Sequence, residues 1–384
     1  MLPRRFALAC LLTVTACTSG GSPQAGSSSA PPSPTLSPSP AAPPSTTPSP
    51  VDELSPTPEQ PYRPLAANAL LSGFVATSAS FVSAGTGWFF GTQECGTATC
   101  GVLLQTRDTG RTFVRRQAPP MLVANVRFAD LDEGWAFGDL FDSQVDPGLW
   151  RTHDGGRSWH QVLDRPVPSL EVGSGSVWAV VLDKSRTSPQ LFRGSTRTDT
   201  LHLIAQIPNR SATVTVGHGT AYVVAQNLGG PIATTLHVAT GTRLVERSNP
   251  CVSTEARGLA VAAGEAHHLV AACSGEPGTG EQLKNAYASS DDGRTWRRRP
   301  DPSAAGYGGA VAATSTRTFL TGGRNGINME VGSGPWREVL DSEEGIGFRY
   351  VGFTDDSHGV ALEEQHDAWM TSDAGEHWRR LRFS

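Results

Sequence analysis

Lysine is almost absent: of 31 basic residues, only Lys184 and Lys284 are not arginine. Acids outnumber bases, and the formal net charge is −5. Loss of a leader carrying Arg4 and Arg5 takes the charge to −5 − 2 = −7. A bulk acidic balance argues against nucleic acid as the main partner, because phosphate binding needs a basic surface. Reactive signatures are missing as well. No HExxH, Gly-x-Ser-x-Gly elbow, P-loop or dinucleotide fingerprint occurs, so the sequence implies no cofactor and no metal. Ten histidines are scattered along the chain. His267 and His268 are adjacent, which on a strand would point them to opposite faces and make a poor metal pair. The acidic stretch Asp130, Asp132, Glu133, Asp139, Asp142 and Asp146 lacks the spacing of a known calcium loop and reads as solvated loop acids. No window sustains a helical period, so almost no helix is expected.

What is present begins with a leader. Residues 1–16 hold two arginines, the apolar run Phe6 to Leu12 and then small residues, the pattern of a signal peptide too short to span a bilayer as a mature helix. It ends in Val14-Thr15-Ala16-Cys17. This resembles the lipobox of bacterial lipoproteins, which implies that Cys17 is diacylated and becomes the new N-terminus. Each buried CH₂ contributes about 0.8 kcal/mol, so two acyl chains hold stably where one would not. Residues 17–61 follow as a lipidated Cys and a tether of Ser, Pro, Thr, Gly and Ala. Such a stretch cannot bury enough surface to offset chain entropy. Runs such as Pro31-Pro32-Ser33-Pro34 favour extended polyproline geometry at about 3.1 Å per residue, a semi-stiff spacer. The expected location is therefore the outer face of the cytoplasmic membrane, reached through the lipid anchor.

The remaining chain, 66–384, repeats itself. Val126-Arg127-Phe128-Ala129-Asp130-Leu131-Asp132-Glu133-Gly134-Trp135-Ala136 aligns without a gap on Val351-Gly352-Phe353-Thr354-Asp355-Asp356-Ser357-His358-Gly359-Val360-Ala361. Phe81 to Trp88 fits the same frame, and weaker copies centre on Trp178, Tyr222, Leu269 and Phe319. A second pattern follows each copy. Thr152-His153-Asp154-Gly155-Gly156-Arg157-Ser158-Trp159 is the clearest. Others run from Thr106 to Phe113, from Ser289 to Trp296 and from Thr371 to Trp378. The starts lie 46, 137 and 82 residues apart, or one, three and two periods of 41–46. Degenerate copies fill the gaps: Leu191 to Leu201, Val238 to Leu244, and Val331 to Trp336. Seven units result. In the second, strands are expected at Val126–Asp130, Trp135–Asp139, Leu149–Thr152 and Ser158–Val162. A period of this size with short strands means radial repetition of four-stranded sheets. The expected fold is all-β, a seven-bladed β-propeller of four-stranded antiparallel blades, preceded by the signal peptide and disordered linker.

The second pattern resembles the Asp-box, Ser/Thr-x-Asp-x-Gly-x-Thr/Ser-Trp/Phe, of BNR-repeat propellers. Its positions here are Asp108, Gly110 and Phe113; Asp154, Gly156 and Trp159; Asp291, Gly293 and Trp296; and Asp373, Gly375 and Trp378. His377 departs from the pattern in the last. The residue types suit a tight turn: the Asp accepts backbone N–H bonds, the Gly supplies a positive φ, and the Trp packs. The resemblance puts these turns at the periphery, so the four aspartates read as structural and not as catalytic acids. It covers about 310 residues and implies architecture, since such propellers include sialidases, xyloglucan hydrolases, sortilin-type receptors and photosystem II assembly factors. Gly134-Trp135-Ala136 followed by Leu149-Trp150-Arg151-Thr152 looks most like the last group.

Cys95, Cys100, Cys251 and Cys273 form an even set in an exported chain, which reads as disulfides. Three connectivities are open, and sequence proximity favours Cys95–Cys100 with Cys251–Cys273. By propeller convention the B–C and D–A loops share one face, where partners often bind. That face is expected to hold Gln93–Cys100, Asp139–Gly148, Asp183–Pro189, Ser274–Lys284 and both disulfides, with Tyr307 in a D–A connection as the aromatic candidate. Arg297-Arg298-Arg299 and Arg379-Arg380 follow boxes on outer strands, where charge blocks edge pairing. No ordered sialidase set emerges around Tyr62-Arg63-Pro64, or around Arg349, Tyr350, Glu343, Glu344, Glu363 and Glu364. The functional expectation is a monomeric, non-catalytic binding or scaffold module for an envelope protein or glycan, with no catalytic residue. Two alternatives stand beside it: an exo-acting glycosidase of sialidase type, and an assembly factor for a membrane complex.

Overall fold

The described residues form strands joined by turns, bends and irregular segments, with no helix among them. The computed structural model describes Glu53–Leu54 and residues 73–383, apart from segments at 96–97, 122–124, 139–147, 186, 227–233, 253–257, 265–266, 278–281, 304–306, 324–325, 343–346 and 364–366. The signal peptide, Cys17 and nearly all of the tether lie outside the described residues, as does most of the Asp139–Gly148 loop. After a two-residue strand, β1 (Glu53–Leu54), the chain forms seven antiparallel sheets. Blade one holds β2 (Val75–Phe81), β3 (Gly87–Cys95), β4 (Ala98–Thr106) and β5 (Val114–Arg116). Blade two holds β6 (Asn125–Phe128), β7 (Gly134–Phe137), β8 (Leu149–Thr152) and β9 (His160–Leu163). Blade three holds β10 (Ser169–Gly173), β11 (Ser176–Leu182), β12 (Pro189–Ser195) and β13 (Leu201–Gln206), with β1 added outside β13. Blade four holds β14 (Ser211–Gly217), β15 (Thr220–Gln226), β16 (Thr234–Thr240) and β17 (Arg243–Arg247). Blade five holds β18 (Gly258–Ala263), β19 (Leu269–Pro277), β20 (Gln282–Ser289) and β21 (Arg297–Arg298). Blade six holds β22 (Tyr307–Ala313), β23 (Arg317–Gly323), β24 (Ile327–Val331) and β25 (Arg337–Leu340). Blade seven holds β26 (Phe348–Phe353), β27 (Gly359–Glu363), β28 (Ala368–Thr371) and β29 (Arg379–Arg380). The protein is a seven-bladed β-propeller. In blade two the expected strand ends shift by at most two residues, and β8 falls where it was expected.

The second strand of each blade explains why the repeat is apolar at its centre. Those strands are covered on both faces by the neighbouring blades, so their sequences run apolar instead of alternating. All seven residues of β11 and all four of β7 are buried. Outer strands read the other way: Arg297, Arg298, Arg379 and Arg380 are exposed on β21 and β29.

One local arrangement accounts for the strongest repeat positions. Phe81, Phe128 and Phe353 end innermost strands and pair with Gly87, Gly134 and Gly359 at the start of the next strand. Each ring lies across its glycine: a Cβ at Gly134 would sit 2.5 Å from the Phe128 ring, and one at Gly359 2.7 Å from Phe353. The ring then meets the adjacent blade. Phe128 stacks on Trp88 of blade one at 3.8 Å, with Trp159 edge-on at 6.2 Å. Phe353 repeats this with Phe319 of blade six at 4.3 Å and Trp378 at 6.2 Å. Ring pairs of this kind contribute about 0.5–1.5 kcal/mol beyond the area they bury.

Hydrogen bonds stitch the same blade junctions. Trp159 Nε1 donates to Gln117 O at 2.8 Å, Trp296 Nε1 to Ser248 O at 2.7 Å and Trp336 Nε1 to Pro300 O at 2.7 Å. Each acceptor follows the outer strand of the preceding blade. At the inner end, Ser78 and Ser80 of β2 accept from Val126 N and Phe128 N, and Ser169 of β10 accepts from Val214 N.

Among the described residues no strand is exchanged to close the ring, because every blade's four strands are consecutive in sequence. Closure rests on packing between blades seven and one. Met370 and Leu381 join Phe74, Phe89 and Leu104 in one core cluster, and Phe383 touches the rings of Phe74, Phe89 and Phe113.

Gly134→Ala is expected to destabilise the fold by about 1–3 kcal/mol through overpacking. Adding Phe128→Ala relieves the clash, so the double variant loses less than the sum of the two singles. Strict additivity in melting or denaturant curves would refute the ring-over-glycine account.

Candidate functional site

The sequence-predicted site residues fall mainly into the turns between third and fourth strands. In each of four blades the same network forms. Thr106 Oγ1 donates to Asp108 Oδ1 at 2.9 Å and accepts from Gly110 N at 2.8 Å. Asp108 then accepts from Thr112 N at 2.9 Å and from Thr112 Oγ1 at 2.6 Å. Thr152, Asp154, Gly156 and Ser158 repeat this, as do Ser289, Asp291, Gly293 and Thr295. In the last blade His377 Nδ1 stands in for the hydroxyl, 2.7 Å from Asp373 Oδ2. Two successive residues take positive φ: Thr109 and Gly110, Gly155 and Gly156, Asp292 and Gly293, Ala374 and Gly375. The sequence had placed only the second of each pair there. Trp159 and Trp296 reach the preceding blade as described, and Phe113 packs against Phe89 and Phe383.

Acceptor crowding sets the electrostatics of these turns. The Thr112 hydroxyl and N–H hold Asp108 at about 2, and the Thr295 N–H and hydroxyl hold Asp291 at about 2. For Asp373, partial burial opposes ionisation, but bonds from His377 and Thr371 prevail and hold it at about 2. A carboxylate kept ionised in this way is a poor proton donor near neutral pH.

Both disulfides pair as sequence proximity suggested, Cys95 with Cys100 and Cys251 with Cys273. The first closes the β3–β4 connection. The second ties the β17–β18 connection to the middle of β19, and both its residues are fully buried. Tyr307 is the first residue of innermost strand β22, paired with Gly323, and not part of a connection. His267 and His268 lie in the β18–β19 turn and not on a strand. His267 takes a φ of 63° and its Nδ1 lies 2.9 Å from Asp292 Oδ2.

A cavity opens at the other end of the ring from the face where a ligand was expected. It encloses about 550 Å³. Innermost strands run toward it, and their last residues line it: Ser80 and Phe81 of β2, Arg127 and Phe128 of β6, Glu171 and Gly173 of β10, Tyr350 and Phe353 of β26. The turns that follow, with Asp130, Ser174 and Thr354, form its lip, and Arg197 reaches it from the β12–β13 turn. Only blades seven, one, two and three contribute. The opposing inner strands β14, β18 and β22 are built largely of Gly, Ala, Val and Thr.

At the floor sits one bidentate ion pair. Arg127 Nε and Nη2 donate to Glu171 at 2.7–3.0 Å, and the guanidinium stands 5.9 Å from the centre of the Tyr350 ring. Burial disfavours the Arg127 charge, but the Glu171 carboxylate more than offsets this and holds the group above its ordinary value. Burial, with the same carboxylate nearby, pushes the Tyr350 phenol up. Three residues from three blades, distant in sequence, thus meet in the channel. The only available sign in the sequence was an unusual charged residue at matching positions of two inner strands.

No protein-family model matches the chain, and no curated protein matches it either. Solved structures do resemble it. One described as YCF48 bound to D1 peptide is 18% identical, with 82% of this chain and 99% of that chain covered at a TM-score of 0.54. The β-propeller domain of the trilobed protease from Pyrococcus furiosus, described as having an open velcro topology, is 10% identical over 81% and 96% at 0.57. A complex of KlAtg21 with the coiled coil of AgAtg16 gives 8% identity over 81% and 100% at 0.54.

The depressed aspartates predict a defined acid response. Their folded values lie below the ordinary 3.8, so their stabilisation is complete above about 4 and is lost as pH falls through about 2. Asp291→Asn should remove part of the drop in melting temperature over that window. An unchanged pH profile would show that the turn is not stabilised through this carboxylate. At the level of fold, the chain belongs with the β-propellers.

Proposed function

We propose that the protein is a surface-tethered, non-catalytic platform whose channel mouth receives a segment of an envelope partner, most simply a polypeptide. The observation that carries this reading is the one-sided polar cavity of about 550 Å³ with a preformed Arg127–Glu171 pair on its floor. A rigid ring with satisfied charges and half-buried aromatic edges offers both hydrogen-bonding groups and apolar contact without reorganisation, which favours binding. The likeness to a propeller described with a bound peptide supports the same class of role, and with it the assembly-factor variant of this reading. A glycan is the other ligand class compatible with such a mouth.

The glycosidase reading finds little support in the cavity. Glycoside hydrolysis needs two available carboxyl groups at defined separation. Of the lining acids, Glu171 is locked by Arg127, and Asp130 Oδ1 accepts from Asp132 N and Glu133 N. We further propose that residues 1–16 are removed, that Cys17 carries the lipid, and that the tether holds the propeller off the outer face of the cytoplasmic membrane.

Two experiments test this. Partner capture by the tagged full chain should be lost in Arg197→Glu/Thr354→Trp, both at the exposed lip, with melting unchanged, and should survive Tyr307→Ala at the opposite end. The reverse pattern would move the binding face to the D–A side. Separately, Cys17→Ser should shift the chain from the membrane fraction to the soluble fraction. Retention in the membrane would refute lipid anchoring at this residue.

A further inference from the structure

A second cluster lies on the outer rim, where the β8–β9 turn of blade two meets the β12–β13 turn of blade three. His153 sits in the first turn, His160 opens β9, and Asp199 sits in the second turn. The two imidazoles stack with centroids 5.1 Å apart and planes 17° from parallel. Both aim a nitrogen at the same carboxylate: His153 Nε2 lies 3.2 Å from Asp199 Oδ1, and His160 Nε2 lies 3.1 Å from Asp199 Oδ2. All three donor atoms fall within 4.8 Å of one another.

The surrounding groups hold this geometry in place. Arg151 is completely buried against the Trp135 ring, 4.9 Å from its centre. Its Nη1 pairs with Asp199 Oδ1 at 2.8 Å, its Nη2 pairs with Glu133 Oε2 at 2.7 Å, and Nη2 also donates to Thr196 O at 2.8 Å. The carboxylate facing the histidines is therefore fixed by a buried guanidinium. Glu133 in turn lies 2.9 Å from His153 Nδ1.

The surroundings of His153 are the deciding observation: carboxylate oxygens approach both of its ring nitrogens, Glu133 at Nδ1 and Asp199 at Nε2. An imidazole with one N–H can donate to only one of them, and its other nitrogen then offers a lone pair that suits a cation. Two carboxylates against one guanidinium also leave the cluster one negative charge in excess. A positive species between the three atoms resolves both mismatches.

We propose that His153, His160 and Asp199 form a binding site for a divalent transition-metal cation, with Zn²⁺ as the best fit. Two imidazoles and a carboxylate suit zinc and its neighbours, whereas Ca²⁺ and Mg²⁺ prefer all-oxygen shells. Three protein ligands with a solvent-facing side leave one position open. The carboxylate behind His153 matches the hydrogen-bonding partner that orients metal-bound histidines. The ion would cross-link blades two and three through turns of which one, β12–β13, also borders the cavity, but the proposal rests on the side-chain cluster alone, and a metal titration reads it without any peptide partner.

The test uses the purified full chain stripped with chelator and titrated with Co²⁺, followed by displacement with Zn²⁺. One Co²⁺ per chain is expected, with a visible absorption band that Zn²⁺ abolishes. His153→Gln and His160→Gln should each weaken binding by about tenfold or more, and Glu133→Gln by about tenfold through loss of orientation. Zn²⁺ should raise the melting temperature of the parent chain and not of the double histidine variant. A band unaffected by His160→Gln, or no binding above that of the double variant, overturns the proposal and leaves a proton as the bridging charge. Zinc-dependent shifts confined to two histidine imidazoles in NMR spectra of the parent chain give the same decision if a variant fails to fold.

Discussion

Blade-to-blade contact is what the whole molecule depends on, and it turns on an aromatic ring laid over a glycine. A four-stranded sheet cannot bury both faces alone. It becomes stable when it is pressed between two others, and the contact surface then has to be apolar and closely fitted. Phe128 over Gly134, stacked on Trp88 and edged by Trp159, provides that fit between blades one and two, and Phe353 over Gly359 does so between six and seven. The absence of a Cβ brings the ring close to the strand, and the flattened ring is what the next blade meets. Trp159, Trp296 and Trp336 add one directed bond each to the preceding blade, which sets blade orientation more than it adds energy.

Much of this was legible in the chain because the constraint repeats. A ring, a five-residue turn and a glycine recur at one spacing, and the count of seven followed from intervals alone. The polar turns were legible for a similar reason: each of their positions has one local task. Cysteine pairing came from proximity, since residues five and 22 apart in sequence meet without large loop closure.

The features that escaped the sequence reading share a cause. Arg127, Glu171 and Tyr350 lie on blades two, three and seven, and only the closed ring brings them together. Nothing local marks Glu171 as the partner of Arg127. His153 and His160 flank one hairpin and were open to inspection, but Asp199 belongs to the next blade. The adjacent pair His267 and His268 drew attention instead, and it sits in a turn whose φ a strand-based reading did not foresee. The cavity lies at the end of the ring opposite the loops to which propeller convention pointed, because the side chains of the inner strands decide the channel's width at each end.

That unevenness of the inner strands carries a consequence for recognition. A ring of identical wedges would present any visitor with seven indistinguishable seats, and a bound segment could hop among them. Here charged and aromatic groups occupy one arc, and small residues occupy the arc facing it. The pseudo-rotational symmetry inherited from the repeat is broken at the pore, so a segment bound there as proposed would meet a single preferred azimuth and a single polarity.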